Sequence, residues 1–136
     1  MTQKVTHFCI LLILAACLSI GPRASAQEDL PLRNQAYLRD TVRLAGVLGS
    51  AHGVRYVCNG EDDQYWRQHM IELLTLEAPR RGPLREAMVE AFNDSFSSAR
   101  RRYRQCDQAT VDAEKRYSAE GRDLADRLAR YYFEHP

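Results

Sequence analysis

The chain predicts an all-α fold, a four-helix up-down bundle stapled by one disulfide, and three observations carry that expectation. Apolar residues recur at steps of three and four through almost all of residues 32–132, with no sustained strand-type alternation. Asn59-Gly60, the Pro79–Pro83 stretch and Asp107 interrupt that periodicity and leave four helical lengths. Cys58 and Cys106 fall at the ends of the first and third lengths, which an up-down topology brings to one end of a bundle.

The N-terminus has a different character. Lys4 precedes an unbroken apolar run from Phe8 to Ile20, followed by the breaker Gly21-Pro22 and the small residues Ala24-Ser25-Ala26. This pattern predicts a secretory signal peptide over residues 1–26, with a mature chain beginning at Gln27. The apolar run is shorter than the ~20 residues a spanning helix needs, so no transmembrane segment is expected. Leu14-Ala15-Ala16-Cys17 also fits a lipobox, and acylation at Cys17 is the alternative: a lipid-anchored product. The complete conventional site downstream favours Cys17 as an ordinary apolar residue of the signal.

Without residues 1–26 the chain keeps 110 residues, enough for one helical domain over 27–136 and too few for two. Lys4 and Arg23 leave with the signal, so 17 basic residues face 18 acidic ones and the formal charge is −1. That balance argues against nucleic acid as a partner.

The first helix is expected from about Leu32 to Val57, with Leu38, Val42, Ala45, Leu48, His52 and Tyr56 on one face. Asn59-Gly60 stops it, and Asp62 or Asp63 is placed to cap the second, from about Asp63 to Glu77, which should bury Trp66, Met70, Leu73 and Leu74. The third begins at Pro83 or Leu84 and carries Leu84, Met88, Ala91, Phe92, Phe96, Ala99, Tyr103 and Cys106 in one stripe. Asp107 ends it and caps the fourth, from about Gln108 to Tyr132, with Val111, Tyr117, Leu124, Leu128, Tyr131 and Tyr132 expected inward.

Two cysteines in an oxidising compartment predict a Cys58–Cys106 disulfide. A zinc site built from Cys58, Cys106, His52 and His69 is the alternative, but it lacks the close paired spacing of such sites.

Gly46, Gly49 and Gly53 lie at steps of three and four within the first helix, where each glycine costs about 0.5–1 kcal/mol relative to alanine. They point either to a close approach by a neighbouring helix or a large aromatic such as Trp66 or Phe92, or to a shallow partner groove. Arg100, Arg101, Arg102 and Arg104 crowd the end of the third helix and Arg80, Arg81 and Arg85 its beginning. The first group complements the helix macrodipole, and its guanidinium forks also suit the carboxylates and phosphates of an anionic envelope component.

His52 lies on an apolar stripe, which predicts a hydrogen-bonded core histidine. Glu61, Asp62 and Asp63 lack the spaced ligand loop of a calcium site and suit helix capping better. Tyr131, Tyr132 and Phe133 are the aromatic cluster that an exposed C-terminus would offer to a protein partner. There is no Gly-rich phosphate loop, nucleophile elbow or metalloprotease motif. No catalytic residue, metal or cofactor is assigned.

The set Tyr37-Leu38-Arg39, Leu44-Ala45, Val47-Leu48-Gly49, His52, Cys58, Trp66-Arg67, Ala91-Phe92-Asn93, Tyr103-Arg104, Cys106 and Ala119-Glu120-Gly121 resembles a group of small exported alphaproteobacterial proteins of unassigned function. The resemblance spans nearly all of the mature chain. It implies a periplasmic address and a paired Cys58 and Cys106, and no active site. The expected function is a non-catalytic periplasmic helical module that binds another envelope component, an envelope protein or an anionic one, in envelope maintenance or regulation. Arg100, Arg101, Arg102, Arg104, Tyr131 and Tyr132 are the candidate contacts. The alternative is a small peptidoglycan-acting hydrolase using Glu72 or Glu77 with His69; a third is a heme or metal carrier using His52 and His69.

Overall fold

A computed structural model describes residues 33–134; the expected signal peptide, its cleavage point and Cys17 lie outside the described residues. Four helices follow in order: α1 (Gln35–Asn59), α2 (Tyr65–Glu77), α3 (Pro83–Arg102) and α4 (Gln108–Glu134). There is no strand among the described residues.

Local chemistry sets the ends. Asn34 caps α1, its side chain accepting from Tyr37 N–H at 2.8 Å. Gly60 stops the helix at φ 84°, a backbone state that a side chain would strain, while its N–H returns to the Tyr56 carbonyl at 2.9 Å. Asp63 lies two residues ahead of α2 and takes the Tyr65 N–H at 3.2 Å. Pro83 occupies the first turn of α3, where its missing N–H is harmless. Asp107 accepts from the N–H of Thr110 at 2.9 Å and opens α4 as the sequence predicts.

The contacts fix the topology. Gly49 meets Phe92 and Gly53 meets Phe96, so α1 and α3 run parallel. Tyr37 reaches Glu77 while Arg55 reaches Asp63, so α2 is antiparallel to α1. Asp40 pairs with Arg127 and Arg55 with Glu114, which orients α4 the same way. The result is the expected up-down bundle, arranged around α1. That helix packs on all three others, most extensively on α3, whereas the α4 backbone stays apart from α2 and α3 and meets α2 through the Trp66–Glu114 hydrogen bond at 3.3 Å. From Leu44 to Val54 only Gly46 and Ser50 are less than buried. A helix apolar all round belongs in an interior, and this stretch carries no charge except what His52 could acquire.

Most of the core is one cluster, including Tyr37, Leu48, Met70, Leu74, Met88, Phe92, Leu124 and Leu128, with Trp66 and Leu73 packed on it. Val54, Ala99 and Ala113 form a smaller one beside Tyr103. Several expectations need correction, among them Tyr132, expected inward but 39% exposed near the end of α4. α3 stops at Arg102, not Cys106: Tyr103 turns extended so that its ring packs on the smaller cluster, and Cys106 lies in the connecting segment. Val111 is exposed, because α4 turns Thr110 and Ala113 inward, with the Thr110 hydroxyl bonded to the Gln105 carbonyl at 2.7 Å. Phe96 is outside the main cluster and stacks on His52 instead.

Gly121 yields a stability prediction. A Cβ there would sit 3.6 Å from a Val47 methyl, an ordinary contact, so Gly121→Ala in the middle of α4 should stabilise the fold by about 0.5–1 kcal/mol in a urea titration. A destabilised variant would mean α4 sits closer to α1 than that distance allows.

Candidate functional site

The disulfide organises one end of the bundle. Cys58 in the last turn of α1 bonds Cys106 in the α3–α4 connection, with Cα atoms 4.7 Å apart. Bonded to each other, the sulfurs cannot complete the zinc alternative, and no group of three His, Cys, Asp or Glu is placed to hold a metal among the described residues.

Beside this staple lies a cleft of about 620 Å³ lined by Tyr56, Val57, Ser97, Arg100, Arg101, Tyr103 and Arg104. Arg100 stacks over the Tyr56 ring at 4.1 Å. Arg101 donates to the Ser98 hydroxyl at 3.0 Å, and Arg104 reaches the Arg101 carbonyl at 3.4 Å. Arg102 faces elsewhere, near Asp94 and Ser98 on the α4 side, with Tyr103 about 5.7 Å below its guanidinium. Arg33, Arg43, Arg55 and Arg127 each pair with a carboxylate, whereas these four, like Arg67, Arg85, Arg116 and Arg122, have no carboxylate partner among the described residues. The chain thus gathers Arg100, Arg101 and Arg104 on one wall and orients them with rings and hydroxyls, leaving their charge without a counter-ion.

The C-terminal aromatics are at the opposite end and are largely engaged. Tyr131 packs at 4.7 Å from the Tyr37 ring and accepts from the Asn34 N–H at 3.2 Å. Tyr132 meets the same ring edge-on and accepts from Arg33 at 3.0 Å. Phe133, 83% exposed, is the residue of the cluster left most in solvent, and Tyr132 is exposed as well.

The two carboxylates proposed for hydrolysis are separated. Glu77 is buried, accepting from the Tyr37 hydroxyl at 2.8 Å; its Oε2 lies 3.3 Å from Arg33, within ion-pair reach but outside hydrogen-bond geometry. Burial, with the contacts to Tyr132 and Glu77, pushes the Tyr37 phenol well above its ordinary range. His69 sits two turns back along α2, half-exposed and 3.1 Å from exposed Glu72. The structure does not bring Glu77 to His69, and the His69–Glu72 pair lines none of the clefts described here. Nor are the two histidines together: His52 lies beneath α3, while His69 contacts Tyr65 and Trp66.

Asp63 belongs to capping and packing rather than to a cation site. Partial burial pushes its carboxyl up, but hydrogen bonds from Asn59, the Tyr65 N–H and Arg55 outweigh this and hold it below the usual range. The glycine face divides in two. Gly49 and Gly53 are pressed against the α3 backbone, whereas Gly46 borders a cleft of about 640 Å³ over α1 between α3 and α4.

His52 is the residue that sequence reasoning placed best and explained least. It is 4% exposed and sandwiched near Phe92 and Phe96, with ring centroids at 5.8 and 4.9 Å, yet its Nδ1 has no hydrogen-bond partner. Burial pushes its pKa below 6.5, and the Arg67 charge adds to that against a smaller opposing pull from Asp63. The sign follows: the unfolded chain takes up a proton near pH 6.5 while folded His52 still resists it, so stability falls as pH drops through that value. His52→Gln should flatten the pH dependence of urea stability between about pH 7.5 and 5. An unchanged slope would remove His52 as its source.

What the geometry defines is a small disulfide-stapled helical module with an unneutralised arginine wall and no assembled catalytic group among the described residues. The chain belongs to the family described as protein of unknown function (DUF2385), whose model matches residues 36–132 and therefore spans all four helices. No curated protein and no solved structure matches it.

Proposed function

We propose that the chain is an exported, non-catalytic helical module of the cell envelope that binds an anionic envelope component through Arg100, Arg101 and Arg104. The observation that carries this is the three guanidiniums lining one cleft with no carboxylate partner among the described residues. Cations near a helix C-terminus need no ligand to be tolerated, since the macrodipole favours them. Dipole complementarity, however, does not account for Arg104, which lies beyond the helix on the same wall. The disulfide supports an oxidising compartment, and with it the signal peptide expected from residues 1–26 and the likeness to small exported alphaproteobacterial proteins. No described helix is long and apolar enough to cross a membrane, so attachment would come from binding or from acylation at Cys17.

The test is co-sedimentation of the mature protein with isolated envelope, for wild type and an Arg100→Gln/Arg104→Gln variant. Arg100 loses its stacking on Tyr56 in the variant, so stability should fall by no more than about 1 kcal/mol. Wild type should sediment at low salt and be released at high salt, because exposed charge contacts are screened over ~10 Å at 0.1 M. The folded variant should stay in the supernatant. A variant that sediments like wild type would overturn the assignment of this wall.

A further inference from the structure

A second cleft, of about 670 Å³, opens between α2 and α3 above His52, on a scale typical of small-molecule sites. α2 and α3 touch only lightly, so the two helices form walls and α1 the floor. Arg67, Met70, Ile71 and Leu74 line it from α2 and Gln64 from just ahead of that helix, with Val89, Phe92, Asn93 and Phe96 from α3. Because α1 runs parallel to α3 and antiparallel to α2, the lining has a direction. Glu61, Asp62 and Gln64 stand at the loop end near Tyr56; Arg67 and His52 come next; Met70, Ile71, Leu74 and Val89 continue away from the loop as an apolar stretch. Ile71 is 49% exposed and Val89 37%, apolar surface left in solvent on facing walls.

Two polar groups in the middle of this lining lack partners. His52 makes no hydrogen bond to any described residue, and its Nδ1 is fully buried. Neither ring nitrogen has a protein partner, so a ligand entering the cleft would meet an imidazole free to hydrogen-bond where the ring lines the wall. Arg67, on the exposed side of the same cleft, pairs with no carboxylate among the described residues. A guanidinium beside a neutral imidazole offers forked donors and one further N–H, a set that suits a carboxylate. The apolar stretch beyond them suits an acyl chain or ring. Glu61 and Asp62 at the loop end would repel a second anionic group.

We propose that the α2–α3 cleft binds a small monocarboxylic acid with an aliphatic or aromatic body, its carboxylate received by Arg67 and His52 and its body lying between Ile71 and Val89 over Phe92. This site shares Tyr56 with the arginine wall but none of its arginines, and its failure would leave that proposal standing. The experiment is an NMR titration of the oxidised protein with octanoate, following the His52 ring and the Arg67 Nε–Hε signals. Both should shift along one saturating curve, and neither should respond to octylamine or octanol. Arg67→Gln should weaken octanoate binding by about tenfold or more, the effect of losing a charge-assisted hydrogen bond. Ile71→Asp, at an exposed position that should not disturb folding, should abolish binding while leaving Arg67 and His52 in place. Shifts confined to Arg100, Arg101 and Arg104, an equal response to octylamine, or no response of His52 would each overturn the proposal.

Discussion

Gly49→Leu is expected to cost more than about 3 kcal/mol, above the usual range for overpacking, and to lower the thermal midpoint by more than about 10 °C. Even a bare Cβ at Gly49 would sit 2.1 Å from the Phe92 carbonyl oxygen and 2.8 Å from its carbon. Those are backbone atoms of α3, so no rotamer change relieves the clash; the two helices must separate, and the core of Leu48, Phe92 and Met88 opens with them. The three glycines should form a graded series. A Cβ at Gly53 would meet the Phe96 oxygen at 2.7 Å and the Ala99 Cβ at 2.8 Å, whereas at Gly46 the nearest atom is the Ser95 hydroxyl at 3.2 Å, which can rotate away. Alanine at 49 should therefore be worst, at 53 next, and at 46 nearly neutral. Urea midpoints in any other order would contradict the observed α1–α3 packing.

Replacing Cys106 with serine should be the second large loss. The bond closes a separation of 48 residues, for which the constraint on the unfolded chain is worth about 4 kcal/mol in a chain-entropy treatment. The loss should be visible as a lower urea midpoint in the variant and, equally, in reduced wild type. A further consequence is functional, because this bond is the covalent tie between α1 and the connection that carries Tyr103 and Arg104, added to the packing of Tyr103 beside Val54. Loosening it should weaken the proposed envelope binding more than it disturbs the distant Tyr37–Glu77 contact. If reduction left stability unchanged, the segment from Tyr103 to Asp107 would have to be held by Tyr103 and Thr110 packing instead.

Much of the architecture was legible because it rests on local signals. Gly60 and Asp107 mark helix ends by backbone and capping chemistry that depends on a few neighbouring residues, and Pro83 opens α3 for the same reason. The cysteine pairing followed from two cysteines in a chain expected to be exported, and the bundle topology agreed with it. The central position of α1 was also written in the chain, since residues 44–54 lack charged side chains apart from His52, a pattern wider than one apolar face. The end of α3 was not legible: helical periodicity continues through Tyr103 to Cys106, and only packing against Val54, Ala99 and Ala113 draws Tyr103 out of the helix. The arginine wall was visible as composition, but which arginines gain carboxylate partners depends on distant residues such as Asp40 and Glu114. Tyr37 and Arg33, which hold Glu77 and the C-terminal tyrosines, were missed as a group because the contacts lie 40 or more residues apart.

The most direct test of the arginine wall is to observe it while ligand binds. Arginine Nε–Hε signals of the mature protein should be followed during titration with soluble anionic fragments released from isolated envelope. Arg100, Arg101 and Arg104 should shift together and saturate, returning to their starting positions at high salt, while Arg43 and Arg127, already paired with Glu120 and Asp40, stay in place. Shifts spread evenly over all arginines, or none at these three, would contradict the account.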